Sequence, residues 1–132
     1  LIVEDVELNQ DLLVQLLENH YEIITAANGE EGIWLAKSER PDLILMDLSL
    51  PVIDGWEATR LIKANSDMKG IPIIALSAHA MRGDEEKARQ SGCDDYISKP
   101  VDENLLFKML AKFLGETPLF QISQRNGYDP SF

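Results

Sequence analysis

A single cysteine, Cys93, stands in the whole 132-residue chain. One thiol supports neither a disulfide framework nor a cysteine metal cluster, so a reducing, cytoplasmic setting is expected. Basic residues are also scarce: 12 Lys and Arg against 23 Asp and Glu, a net charge of −11. That balance disfavours direct nucleic-acid binding, which needs a basic face, and adhesion to anionic membranes. No apolar run approaches the length of a membrane helix, and no signal-peptide pattern is visible. There is no internal repeat and no low-complexity tract. Gly29-Glu30-Glu31-Gly32 fits neither a Rossmann nor a P-loop pattern, and no helix-turn-helix follows Gly115. The chain opens on Leu1-Ile2-Val3 rather than Met and reads as cut inside or near its first strand.

Hydrophobic residues make up 45% of the chain, enough for one domain with a real core and against a disordered or fibrous class. Their arrangement alternates. Leu1-Ile2-Val3 reads as a strand, followed by a helix with Leu12, Leu13, Leu16 and Leu17 on one stripe. Glu22 to Ala27 reads as a strand. Asn28 then caps a helix carrying Ile33, Leu35 and Ala36, which stops before Pro41. Leu43 to Met46 is a continuous apolar run, suited to a strand buried on both faces, and it ends in Asp47. Asp54-Gly55 opens a helix with Trp56, Ala58, Leu61 and Ile62, and Ile71 to Leu76 is another buried strand. A charged helix runs roughly from Arg82 to Ser91 and ends at Gly92. Asp95 to Ser98 is a short strand, and Asp102 caps a last helix with Leu105, Leu106, Met109, Leu110 and Phe113 inward. Five strands alternating with five helices imply an α/β fold, a parallel sheet covered by helices on both faces.

In such a sheet, sites form beyond the carboxyl ends of the strands. Those ends carry Glu4-Asp5, Asp47, Ser77 and Lys99. Each residue alone has an everyday role as a cap, a turn residue or a solvated charge. Together they bring three carboxylates, a hydroxyl and an ammonium to one edge. Crowded carboxylates repel, and a divalent cation relieves the repulsion; all-oxygen ligands favour Mg²⁺, with Mn²⁺ as a substitute, over zinc. A carboxylate beside such an ion can act as a nucleophile and form an acyl phosphate, with a cation and hydroxyl to steady the phosphoryl oxygens.

In this order the residues resemble a response-regulator receiver domain of two-component signalling, chemotaxis-receiver-like, over about Leu1 to Leu114. The resemblance rests on Glu4-Asp5, on Asp47 with Pro51 and Asp54-Gly55 after it, on Ser77-Ala78, and on Asp94 to Val101. It implies a flavodoxin-like, doubly wound five-stranded parallel sheet of order 2-1-3-4-5 with five helices. The receiver domain would span 1–115, leaving 116–132 as a C-terminal tail or linker. It further implies that Asp47 accepts a phosphoryl group from a sensor histidine kinase or a histidine phosphotransfer protein. Asp5 would hold Mg²⁺ directly, Glu4 through water, and the Ser49 backbone carbonyl would be a further ligand beside Asp47. Lys99 would pair with the phosphoryl oxygens, Ser77 would move to hydrogen-bond them, and Tyr96 would turn inward as the aromatic switch. The Lys99-Pro100 bond would be cis. The face made by the fourth helix, fifth strand and fifth helix would then present itself to a downstream effector.

Ile53 stands where Met is usual in that family, and Ser77 where Thr is also frequent; either supplies the hydroxyl. Ser49 and His79, two positions after Asp47 and Ser77, fall where such domains tune acyl-phosphate hydrolysis. The resemblance implies a switch that catalyses its own phosphotransfer and slow self-hydrolysis, not a metabolic enzyme. The alternative, a degenerate receiver serving only as an interaction module, would lack Asp47, Lys99 or the acidic pair, and none is missing. A phosphatase working through an aspartyl phosphate usually has a second Asp two residues after the nucleophile, where Ser49 stands here. Of the remaining bulky residues, Trp56 is expected in the core, Trp34 partly exposed, and His20 at a helix end.

Overall fold

The computed structural model describes residues 1–78 and 83–115; the expectations for His79 and for the tail fall outside the described residues. The elements are β1 (Ile2–Val3), α1 (Glu7–Leu17), β2 (Thr25–Ala26), α2 (Gly29–Glu39), β3 (Ile44–Asp47), α3 (Gly55–Ala64), β4 (Ile73–Ser77), α4 (Asp84–Ser91), β5 (Asp95–Ser98) and α5 (Glu103–Leu114). The five strands pair in parallel in the order β2-β1-β3-β4-β5. This is the doubly wound, flavodoxin-like arrangement that the alternation and the resemblance imply.

Side chains on a strand alternate between faces, and the sheet sorts its apolar residues accordingly. Ile44, Met46, Ile73 and Ala75 pack with Ala36, Ala58, Ile62 and Ala88 of α2, α3 and α4. Leu45, Ile74, Leu76 and Ile97 pack with Leu13 and Leu17 of α1 and Leu106 and Leu110 of α5. The result is two cores separated by the sheet. Among the described residues no helix is long and apolar enough to cross a membrane.

Local chemistry sets the helix ends. Asn28, Asp54 and Asp102 each accept, through the side chain, the amide of the residue three positions on. Arg40, in the left-handed region at φ 47, closes α2 just before Pro41. Gly92 closes α4 at φ 108, a conformation that glycine adopts without a Cβ penalty.

Several expectations need correction. β2 is two residues long rather than spanning Glu22 to Ala27, because it is an edge strand whose single neighbour, β1, offers only Ile2 and Val3 in register. Leu12, Leu61 and Leu105 do not face the core; they are 56%, 37% and 42% exposed. On α1 the buried row is Leu13 and Leu17, while Leu8 and Leu12 form a neighbouring row turned to solvent. Four leucines at helical spacing cover a wider arc than the sheet can bury. Trp56 is half-buried rather than enclosed, packed on the edge of one core with the Lys87 ammonium over its ring. Trp34 is partly exposed, as expected, at 65%, and His20, just past the end of α1, packs edge-on against Phe107 of α5.

At the amino ends of β4 and β5 a polar clamp joins three elements. Lys63 of α3 donates to Asp94 and to the carbonyls of Lys69 and Ile71. The same Asp94 Oδ2 accepts the amide of the buried Ile73 at 2.8 Å. Asp94→Ala would strand that amide and leave Lys63 only its two carbonyl acceptors. A loss of about 1–3 kcal/mol in urea unfolding is expected; an unchanged midpoint would contradict the clamp.

Candidate functional site

The acidic edge is assembled by backbone registration. Pairing of β1 with β3 and of β3 with β4 brings the ends of three strands level, so that the residues at or just past them meet. Glu4 and Asp5 follow β1, Asp47 ends β3, Ser77 ends β4, and Lys99 follows β5. The Lys99 amide donates to the Ser77 carbonyl at 2.7 Å and the Leu48 amide to the Leu76 carbonyl at 3.0 Å, extending the ladder into the site. The Lys99-Pro100 bond is cis.

Glu4, Asp47 and Ser77 are buried, whereas Asp5 is exposed at the mouth. A carboxylate oxygen from each of Glu4, Asp5 and Asp47 lies within 4.8 Å of the others. Lys99 Nζ stands 2.8 Å from Glu4 Oε1 and 3.4 Å from Asp47 Oδ2. Glu4 Oε2 accepts the Val6 amide at 3.1 Å, and Asp47 Oδ1 accepts the Ser49 amide at 3.0 Å. Both Glu4 oxygens are thus already engaged, while Asp5 and Asp47 lie beside them. One ammonium against three carboxylates leaves the cluster net negative. An all-oxygen set with surplus negative charge suits a hard divalent cation.

Burial pushes the Glu4 carboxyl above its usual range; the Lys99 hydrogen bond opposes the rise and the neighbouring Asp47 adds to it. Burial alone would lower the Lys99 ammonium, but the hydrogen bond to Glu4 and the charge of Asp47 outweigh it, and Lys99 is raised. Lys99 therefore remains a cation across the physiological range.

Sequence reasoning anticipated the polar residues and missed their supports. Gln10 of α1 donates its side-chain amide to the carbonyls of Glu4 and Ala26, tying the ends of β1 and β2. A Cβ on Gly55 would lie 2.2 Å from the Asp47 carbonyl oxygen and 2.6 Å from Leu48 Cα, so only glycine lets α3 begin against the backbone of Asp47. The Asp54-Gly55 pair was visible in the sequence, but the contact that needs it was not. Between these points Val52 holds φ 64 with its side chain entirely in solvent, an outlying conformation for a β-branched residue. Tyr96, on β5, is half-buried against the core shared with α3 and α4.

The Glu4–Lys99 pair makes a testable claim about pH. Removing the ammonium in Lys99→Met leaves Glu4 buried without its cation, and its pKa rises further. A group raised in the folded state contributes stability below its unfolded pKa and loses it as pH climbs through the folded value. Lys99→Met should cost about 1–3 kcal/mol at mildly alkaline pH and clearly less at mildly acidic pH, where Glu4 takes up a proton. Urea unfolding at the two pH values checks this; a pH-independent cost would refute it.

Comparison with known proteins bears on the same edge. The family described as "Response regulator receiver domain" matches residues 1–111. The polar-differentiation response regulator DivK of Brucella anthropi is 46% identical over 117 residues, covering 88% of this chain and 95% of that protein. Among solved structures, the receiver domain of the Pseudomonas aeruginosa sensor histidine kinase PA1611, with a magnesium ion coordinated in its active-site cleft, superposes with a TM-score of 0.80. It is 39% identical and covers 87% of this chain and 95% of that one. The receiver domain of Saccharomyces cerevisiae Ssk1, solved with the histidine phosphotransfer protein Ypd1, has a TM-score of 0.78 and 36% identity, covering 85% of each chain. The fold, the acidic cluster and these similarities agree: the chain belongs to the response-regulator receiver-domain family.

Proposed function

We propose that this domain is a phosphorylation-activated switch in which Asp47 is the phosphoryl acceptor. The observation that carries the reading is the shared ammonium: Lys99 Nζ sits between buried Glu4 and buried Asp47, at 2.8 and 3.4 Å, on an edge with surplus negative charge. Asp5 and Asp47, with the Ser49 carbonyl, would hold Mg²⁺ or its substitute Mn²⁺, and Glu4 would bind it through water. When bound, the ion neutralises charge on the phosphoryl oxygens. An Asp47 oxygen attacks the phosphorus of a phosphohistidine, the P–N bond breaks, and the imidazole leaves with the bonding pair. Lys99 then exchanges part of its hold on Glu4 for the new phosphoryl oxygens. Ser77, buried at the adjoining strand end, supplies a hydroxyl to the same oxygens, and Tyr96 turns into the space this opens. The α4–β5–α5 face is the proposed output surface for a downstream effector.

The donor is proposed to be a histidine kinase or histidine phosphotransfer protein. The apolar side chains of Val6, Leu8 and Leu12 stand exposed on and just before α1, the helix that follows Glu4-Asp5. A groove of about 530 Å³ runs alongside, between Leu12, Leu13 and Leu16 and the Lys99–Val101 segment, with Glu4 in its wall. That geometry suits a helical partner presenting an imidazole to Asp47.

Incubation with acetyl phosphate and Mg²⁺ should add one phosphoryl group, seen by intact mass, to the wild type and none to Asp47→Asn. An unmodified wild type would leave the interaction-module reading in its place. Mg²⁺ alone should raise the melting temperature of the wild type in proportion to the logarithm of its concentration above Kd. Asp5→Asn should abolish most of that rise; an equal rise in both would place the ion elsewhere.

A further inference from the structure

Outside the acidic edge, α4 is the element least anchored by its own sequence. Of its residues, Asp84 to Ser91, only Ala88 is buried. Its N-cap is Gly83, which brings no side chain to the exposed amides. The helix α3 beside it, by contrast, buries Gly55, Ala58, Thr59 and Ile62. Besides the Ala88 plug and the Gly92 cap seated against the Lys63 side chain, a further contact ties α4 to α3: the Lys87 ammonium lies 4.7 Å from the centroid of the Trp56 ring. A cation over an indole is the strongest aromatic pairing of its kind, and at a partly exposed site it biases an equilibrium by roughly two- to fivefold. That is enough to set the resting state of a loosely held helix and small enough to be overridden.

Both ends of this contact lead back to the acceptor. Trp56 follows Gly55, whose bare Cα is seated on the Asp47 carbonyl and whose amide donates to the Leu48 carbonyl at 3.2 Å. Lys87 belongs to the element that comes next after β4, the strand ending in Ser77. A phosphoryl group on Asp47 would add charge and acceptor oxygens between the starting points of both arms. We propose that Lys87 and Trp56 form a latch holding α4 on α3 in the resting domain, and that phosphorylation of Asp47 opens it. The second half rests on the receiver reading above; the first half stands on the contact alone.

Trp34 and Trp56 are the two tryptophans of the chain, and Trp34 is exposed, so Trp34→Phe leaves Trp56 as the sole indole reporter. In the resting protein, amides of α4 should exchange with deuterium roughly two- to fivefold faster in Lys87→Met than in wild type. Lys87→Arg, which keeps a cation over the ring, should restore the wild-type rate. Equal exchange in wild type and Lys87→Met overturns the latch. With acetyl phosphate and Mg²⁺, Trp56 emission in Trp34→Phe should change in step with the phosphoryl adduct counted by mass, and Trp34→Phe/Lys87→Met should change little. An adduct that leaves Trp56 emission still, or moves it equally in both proteins, overturns opening by phosphorylation. If no adduct forms, the opening step falls with the receiver reading, while the exchange comparison decides the latch by itself.

Discussion

The ammonium of Lys99 between two buried carboxylates is the interaction on which this edge depends. Glu4 and Asp47 lie where water cannot solvate them, and an uncompensated charge in such a place is costly. Lys99 offsets part of that cost while leaving the cluster short of positive charge. The imbalance gives the site its chemistry. It holds an appetite for cations, a carboxylate that is not fully neutralised, and an ammonium with more than one place to go.

The fold serves that imbalance by bringing chain ends to a common level. Parallel strands in register deliver their terminal residues together, and the ladder continues past the strands through the amides of Leu48 and Lys99. Gly55 seats α3 on the backbone of Asp47, and Gln10 ties β1 to β2 just behind Glu4. The two cores divide the labour. One side of the sheet packs α1 and α5, beside the exposed apolar row of α1; the other packs α2, α3 and α4, where the Trp56–Lys87 contact lies.

Much of this was legible in the residues. Apolar runs ending in Asp47 or in Ser77, and the caps Asn28, Asp54 and Asp102, are local signals, and local signals survive without a structure. The strand order and the identity of the site came with the family resemblance rather than with periodicity. What stayed hidden depended on distances between elements. Helical spacing could not tell the buried row of Leu13 and Leu17 from the solvent row of Leu8 and Leu12, because that choice belongs to the sheet. The resemblance offers Lys99 as a partner for phosphoryl oxygens, whereas its partner in the structure, Glu4, lies across the whole sequence. The half-exposed Trp56, the role of Gln10 and the backbone contact of Gly55 are of the same kind.

The clamp of Lys63, Asp94 and the Ile73 amide lies at the end of the sheet away from the acidic edge. It welds the last turn of α3 to the beginnings of β4 and β5. Those elements thus share one footing, a single carboxylate oxygen that serves a side chain of α3 and the backbone of β4 at once.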